Sequence, residues 1–375
     1  TCDCRGSFFF LRDADTGDLW SAGFQPAGTE ADAYDVSYSE DRAKIIQRHR
    51  SLSTALEVFV SPEDDAELRQ LTVTNLESHE REIDVTSYFE VVLAPQGADE
   101  AHPAFSNLFV KTEFVPQLGT LLATRRPRSG AEPQVWLAHM VKVDGKTVGT
   151  LEYETDRAGF LGRGRRVRTA MSVLDGGHLS NTVGTALDPI LSLRHRVVIP
   201  AGERVKLTFT TLVASSRDEA LELAGKYHQS AAFERESSLA WTQAQVQLHH
   251  LRVTPDEAHL FQRLANFLLF ANPTLRAAPQ MIARNRIGPQ GLWAYGISGD
   301  LPIALVRIET EEEIDVVRQL VRAHEYWRLK GIAADLVILN AKGTSYVQDL
   351  QESIEAMVRA GPSAVGHEQR GEQGG

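Results

Sequence analysis

The chain has 375 residues, of which 42% are hydrophobic and 24% are charged, as in a globular protein of two or three domains. Its 39 basic and 50 acidic residues give a net charge of −11, which excludes a general nucleic-acid binder because phosphate recognition needs an excess of Lys and Arg. No apolar run is long enough to span a membrane and no signal peptide is visible. The two cysteines, Cys2 and Cys4, provide neither a disulfide framework nor a metal-ligand set, so we predict no metal site and a cytoplasmic compartment.

The first predicted region, residues 1–214, is a β domain. From about residue 7 to residue 213 the apolar pattern has period two, and turns bound the runs. Tight turns are predicted at residues 13–18 and 199–205, and a polar hairpin connection at residues 75–82. The predicted inward-facing residues are Leu56, Val58, Val60, Ile83, Val85, Ser87, Phe89, Val91, Val205, Leu207, Phe209, Thr211 and Val213. Many strands with few helices predict a large antiparallel β-sandwich.

The second predicted region, residues 215–285, is a helical linker. Capping boxes at Ser216–Glu219 and Thr254–Glu257 begin two helices, and a further helix covers about residues 232–251. The predicted buried faces of the last two helices are Trp241, Ala244, Leu248, Leu251, Leu260, Leu264, Phe267 and Leu268.

The third predicted region, residues 286–360, has the order strand, helix, strand, helix. A helix capped at Thr310 is expected to end at Gly331, and an amphipathic helix is expected through Val347, Leu350, Ile354 and Val358. Some of these stretches fit a buried helix as well as a strand, so a partial α/α-barrel and a mixed α/β segment both remain open. Residues 361–375 are predicted to be a flexible tail, because they have almost no apolar content.

Two runs resemble ligand-binding motifs, but each lacks a residue that the motif requires. The run at residues 144–147 resembles the end of a phosphate loop, but Met140 stands where its first glycine is required. The run at residues 13–18 resembles a calcium loop, but its twelfth position is Phe24 instead of Glu. No catalytic residue is therefore assigned.

The run GLWAYGISGD, residues 291–300, is the first candidate site. Trp293 and Tyr295 alternate, so in an extended loop they would share a face and could stack on the C–H face of a sugar ring. Asp300 would accept hydrogen bonds from hydroxyls, and Arg286 adds a guanidinium upstream. In the alternative, both rings pack beneath the loop and Asp300 caps a turn.

A basic run at residues 156–168 is the second candidate site. Asp156, Arg157, Arg163 and Arg165 lie there among three glycines, in a protein that is otherwise acidic. Arginines suit carboxylates, phosphates or sugar hydroxyls, but the run also fits a solvated, flexible loop. A further aromatic run is either a sugar platform or sandwich core, and it contains His102, Phe105 and Asn107.

Several long runs together resemble one family. They extend from about Gly6 to the end of the chain and include FFFLRDADTGDLWSAGFQP, ETDRAGFLGRGR, AWTQAQVQL, GLWAYGISGDLPI and AHEYWRLKG. They are similar to the C-terminal region of cyclic β-1,2-glucan synthases, the part related to glycoside hydrolase family 94, formerly glycosyltransferase family 36. The resemblance implies a supersandwich related to galactose-mutarotase-like folds, a helical linker and the start of an (α/α)₆ barrel.

The resemblance also implies ligands and partners. The ligand would be a β-glucan or gluco-oligosaccharide, and the remaining domains of the parent synthase would be the protein partners. No cofactor is expected, although an active enzyme of this kind would use inorganic phosphate as co-substrate. The region would be cytoplasmic, as a part of an inner-membrane protein, with no membrane span of its own.

The same resemblance indicates a piece of a longer protein. The chain opens almost in a strand, has too few helices for a complete barrel, and lacks the family's general-acid motif, so it resembles the first, non-catalytic copy of a repeated unit. We therefore expect a carbohydrate-recognition and scaffold module, in which Asp300 binds sugar. The alternatives are an active glycoside phosphorylase or glycosyltransferase, and a structural module whose loop aromatics are buried.

Overall fold

The computed structural model describes residues 6–127, 129–130, 132–270, 272–341 and 349–360. The chain forms two compact units that divide between residues 243 and 244. Both cysteines, Val347 and the predicted tail at residues 361–375 lie outside the described residues. The domain limits drawn at residues 214, 285 and 360 stay predictions.

The first unit contains two antiparallel sheets. The larger sheet has the strand order β3-β4-β5-β6-β13-β10-β9-β8, and the smaller has the order β11-β12-β7-β1-β2. The strands are β1 (Phe8–Asp13), β2 (Leu19–Ser21), β3 (Ala33–Tyr38), β4 (Ala43–His49), β5 (Leu52–Val60), β6 (Ala66–Asn75), β7 (Arg81–Glu90), β8 (Val110–Val115), β9 (Thr120–Arg125), β10 (Trp136–Asp144), β11 (Lys146–Asp156), β12 (Pro189–Ile199) and β13 (Arg204–Ala214). The predicted sandwich is confirmed.

The main core lies between the inner faces of these sheets. Alternating residues meet there, as in the contact of Phe9 with Phe209, whose ring centroids are 4.5 Å apart. Most of the residues predicted to face inward lie in or against this core. The pattern is wrong for two residues near strand ends, because Val60 is 61% exposed and Val213 is 37% exposed.

The outer face of the larger sheet is buried as well. The helices α5 (Arg217–Tyr227) and the start of α6 (Ala232–Leu251) cover it. Phe59 packs there against Phe233, with ring centroids 5.0 Å apart. Along α6 the buried stripe runs through Ala240, Ala244 and Leu248, and it leaves the predicted core residue Trp241 exposed.

The polar composition of residues 75–82 predicted a hairpin connection, and this prediction is wrong. The connection carries the chain from β6 in the larger sheet to β7 in the smaller one. Asn75 is fully buried, and its amide donates to the carbonyls of His79, Ile199 and Pro200 at 2.7, 3.0 and 3.3 Å. This side chain closes the crossing by bonding the end of β12 and the turn that follows it.

The first unit also contains four short helices. They are α1 (Gln96–Ala101), α2 (Pro103–Asn107), α3 (Arg157–Leu161) and α4 (Met171–Leu174). Of these, α3 and α4 pack on the smaller sheet. A second small core beneath α3 and α4 contains Phe10, Tyr88, Phe160 and Val173.

The second unit is a mixed α/β segment. Its two strands, β14 (Ile303–Ile308) and β15 (Asp335–Asn340), pair in parallel. Its helices are α7 (Pro255–Leu269), α8 (Pro279–Arg284), α9 (Gln290–Trp293), α10 (Ile314–Leu329) and α11 (Asp349–Ala360). The predicted order strand, helix, strand, helix is confirmed, and the helices of the described part of the chain form no closed barrel.

Two features of the second unit refine the predicted faces. The buried stripe of α7 runs through Ala258, Phe261 and Ala265, so Phe267 is half-exposed instead of buried. Leu350 and Ile354 of α11 are buried as predicted, whereas Val358 is half-exposed. Among the helices that the structure describes, none is both long and apolar enough to cross a membrane.

Candidate functional site

The run at residues 291–300 begins with a helical turn and continues as a compact turn. Trp293 ends α9, Gly296 adopts a left-handed φ of 73°, and the indole N–H of Trp293 donates to the carbonyl of Ser298 at 3.2 Å. The two rings are exposed by 62% for Trp293 and 79% for Tyr295. Asp300 is exposed as well, and its backbone N–H donates to Ser298 Oγ at 3.1 Å.

The structure corrects how these two rings are presented. In a helical turn, residues two apart point about 200° apart, so alternation does not place Trp293 and Tyr295 on one face. Pro289 and Gly296 explain the difference, because they favour the start and the end of a helical turn. Neither ring packs beneath the segment, and Arg286, upstream, is exposed too.

The basic run at residues 156–168 is folded onto the smaller sheet and is not a flexible loop. The carboxylate of Asp156 accepts from the backbone N–H groups of Ala158 and Gly159 at 3.2 and 3.3 Å, which caps α3. Phe160 is fully buried between Phe10 and Tyr88. This aromatic anchor fixes a stretch that composition alone presents as solvated.

The arginines of this run have separate environments. Arg157 Nε lies 2.8 Å from Glu90 Oε1, and its Nη1 lies 3.3 Å from Asp188 Oδ2. Arg165 pairs with Asp175 at 3.0 Å, whereas Arg163 is solvent-exposed. The run thus does not act as one guanidinium cluster.

A cavity of about 660 Å³ lies next to the Arg157 ion pairs. Sequence reasoning missed Glu90 and Asp188, which line it, because they are separated by about a hundred residues and neither belongs to a motif. Phe105, on α2 nearby, is 53% exposed, so the sandwich-core alternative for its run does not hold for this ring. Arg286 and the two aromatic rings of the first candidate site lie in the second unit, whereas the arginine candidates of the basic run lie in the first.

Comparison with known proteins identifies the family. The model of the glycosyl hydrolase 94 supersandwich domain matches residues 1–230. The chain belongs to this family. The match covers the two-sheet unit up to the helix that follows it, which agrees with the sandwich described above.

The relatives of this supersandwich protein are much longer than the chain. It is 37% identical over 355 residues to the cyclic beta-(1,2)-glucan synthase NdvB of Rhizobium meliloti (strain 1021), covering 95% of this chain and 12% of that protein. It is 28% identical to the solabiose phosphorylase of Paenibacillus borealis, covering 58% of this chain and 27% of that protein. It is 23% identical to the N,N'-diacetylchitobiose phosphorylase of Vibrio proteolyticus, again covering 27% of the relative.

Proposed function

We propose that the chain is a carbohydrate-recognition and scaffold module of a larger β-1,2-glucan synthase or β-glucoside phosphorylase. The observation that carries the proposal is the exposure of the Trp293 and Tyr295 rings in a segment that also carries the exposed Asp300. The names of the relatives, a β-1,2-glucan synthase and phosphorylases of disaccharides, support the choice of ligand class. The ligand is a β-glucan or gluco-oligosaccharide, and the protein partners are the remaining domains of the parent enzyme.

The chemistry of the segment suits a neutral, hydroxyl-rich ligand. An exposed indole or phenol ring offers an apolar face to sugar C–H groups, and Asp300 accepts hydrogen bonds from hydroxyls. The bond from Trp293 to Ser298 fixes the indole edge, so the ring is oriented before ligand binds. The chemistry needs no cofactor, and inorganic phosphate enters only as a co-substrate of the alternative, an active phosphorylase.

Calorimetric titration of the chain with β-1,2-gluco-oligosaccharides tests the proposal. Trp293→Ala and Tyr295→Ala are expected to weaken binding at this segment by about tenfold each, because each removes one stacking surface. Trp241→Ala is the matched control, since Trp241 is an exposed tryptophan on α6, outside the segment. Binding that is unchanged in both segment variants contradicts a role for these rings, and no binding by the folded wild-type chain contradicts the recognition function.

The same titration distinguishes the enzyme alternative. With inorganic phosphate present, an active phosphorylase releases a sugar phosphate from the oligosaccharide, whereas a recognition module leaves the sugar intact. If chromatography finds sugar phosphate in the calorimeter cell after the titration, the recognition module is wrong and the chain is an active phosphorylase.

A further inference from the structure

A second concave surface lies in the sandwich unit, apart from the aromatic segment. Its volume of about 660 Å³ falls within the range of small-molecule sites. It forms where the end of β7, the helices α1 and α2, and the residues before β12 meet. The lining residues that matter here are Glu90, Asp99, Pro103, Asn107, Leu187 and Asp188.

The charges around this cavity disfavour an anion and a metal ion. Three carboxylates line it, those of Glu90, Asp99 and Asp188, and the guanidinium of Arg157 neutralises one of these charges. The remaining negative charge repels phosphate. Arg157 itself occupies the position between two carboxylates that a divalent cation would need. Among the described residues, no group of three His, Cys, Asp or Glu side chains is arranged to hold a metal.

The carboxylates are oriented and keep accepting capacity. Glu90 Oε1 accepts from the hydroxyl of Tyr88 at 2.9 Å and from Arg157, and Asp188 Oδ1 accepts from the amide of Asn107 at 3.3 Å. Burial, together with the charge of Glu90, raises the pKa of the Tyr88 hydroxyl, which therefore stays a donor. Both carboxylates are about 40% exposed, with side-chain values of 37% for Glu90 and 42% for Asp188, so ligand hydroxyls can reach them.

Asn107 supplies an independent observation. Its Oδ1 is buried and has no hydrogen-bond partner among the described residues, although the residue lines the cavity. Buried amide oxygens are normally paired, so this acceptor can take a further hydrogen bond from a donor. Leu187, which is 77% exposed, and Pro103 add apolar surface beside these acceptors.

We propose that this cavity is a second carbohydrate site, which binds a neutral gluco-oligosaccharide in the sandwich unit. Sugar hydroxyls donate to Glu90, Asp188 and Asn107, while Leu187 and Pro103 contact the C–H face. Acceptors in excess, one fixed cation and an apolar wall suit a polyol better than an ion. The inference rests on the proposed recognition function but uses none of the residues of the aromatic segment.

The test is a titration with β-1,2-gluco-oligosaccharides in the Trp293→Ala background, in which binding at the aromatic segment is weakened. We expect one remaining class of sites. Asp188→Asn should weaken binding at this site at least tenfold, because an NH2 group that cannot accept a hydrogen bond replaces one carboxylate oxygen. Ala104→Trp fills the cavity without touching the ion pairs and has the same effect. Glu113→Gln is the matched control, since Glu113 is similarly exposed and pairs with Arg217 outside the cavity.

Each outcome decides between the two proposals. If the Trp293→Ala chain binds no sugar while the wild type does, the second site is wrong and the recognition function stands. If binding remains but is unchanged by Asp188→Asn and by Ala104→Trp, the second site is also wrong. If the wild type binds no sugar, both proposals fail. Binding of spermidine without binding of sugar would identify a cation site and overturn the carbohydrate assignment.

Discussion

At the residue scale, the most unusual group is a histidine inside the sandwich core. His139 is 1% exposed, and its ring nitrogens lie 2.9 Å from Ser87 Oγ and 2.9 Å from Thr211 Oγ1. Burial lowers the pKa of His139 to about 3, and the positive charge of Arg69 adds to the effect. The imidazole is therefore neutral in the folded protein, where two hydroxyls satisfy it.

This burial predicts acid sensitivity. The folded-state pKa lies below the ordinary value of 6.5, so the stability contribution is complete above pH 6.5 and is lost as the pH falls towards 3. In that window the unfolded chain binds a proton that the native chain does not, which costs about 1.4 kcal/mol per pH unit. Urea unfolding between pH 7 and pH 4 should show a flatter pH dependence for His139→Gln than for the wild type.

The control for this experiment is His228→Gln, because His228 is solvent-exposed at the end of α5. That variant should follow the wild-type pH profile. If the free energy of unfolding depends on pH equally in wild type and His139→Gln, the pKa of His139 is not lowered in the folded protein.

At the element scale, the crossing between β6 and β7 depends on Asn75. Asn75→Ala should lower the free energy of unfolding by about 2–3 kcal/mol, because the change removes three hydrogen bonds that a fully buried side chain donates. Asn75→Asp is isosteric and should be at least as costly, since a carboxylate would face the same carbonyl oxygens. Asn285→Ala is the comparison, because Asn285 accepts one exposed turn hydrogen bond. Equal small losses in all three variants would contradict the closing role of Asn75.

The helical cover of the smaller sheet depends on Phe160. Truncation by Phe160→Ala removes the contacts with Phe10 and Tyr88, and should cost about 3–5 kcal/mol locally or globally. Hydrogen exchange at residues 157–174 should then become faster than in the rest of the unit. Met171→Ala, at a half-exposed position of α4, should leave this exchange unchanged. Unaltered protection in the Phe160 variant would mean that the cover is held by its arginine pairs instead.

These elements also show what the sequence can predict. Period two identified several of the strands and part of the core, and the capping boxes at Ser216 and Thr254 located the starts of α5 and α7, because these signals are local. Strand pairing is not local, so a polar run between two strands was read as a hairpin when it changes sheets at Asn75. The site follows the same rule, since Arg157 stood out in the sequence whereas its partners Glu90 and Asp188 did not.

At the scale of the whole molecule, the second unit carries a high density of exposed apolar side chains. In the described part of the chain between residues 267 and 305 they are Phe267, Leu269, Phe270, Met281, Ile282, Ile287, Trp293, Tyr295, Leu301, Ile303 and Leu305. Among the described residues the sheet of β14 and β15 has two strands and no further strand pairs with its edges, and a sheet of two strands is only marginally stable by itself. Surfaces of this kind normally mark contacts with another protein or promote aggregation.

We therefore expect the isolated chain to self-associate as its concentration rises, through this apolar surface. Sedimentation velocity across a hundredfold concentration range should show a growing average mass. The double variant Leu269→Gln and Phe270→Gln removes two large side chains at the end of α7 and should shift association to higher concentration. Val60→Gln, which changes an exposed apolar residue of the sandwich unit, should not. A monomer at every concentration would contradict the expected association and leave these side chains as ordinary solvated surface. Equal association in both variants would place the contact elsewhere.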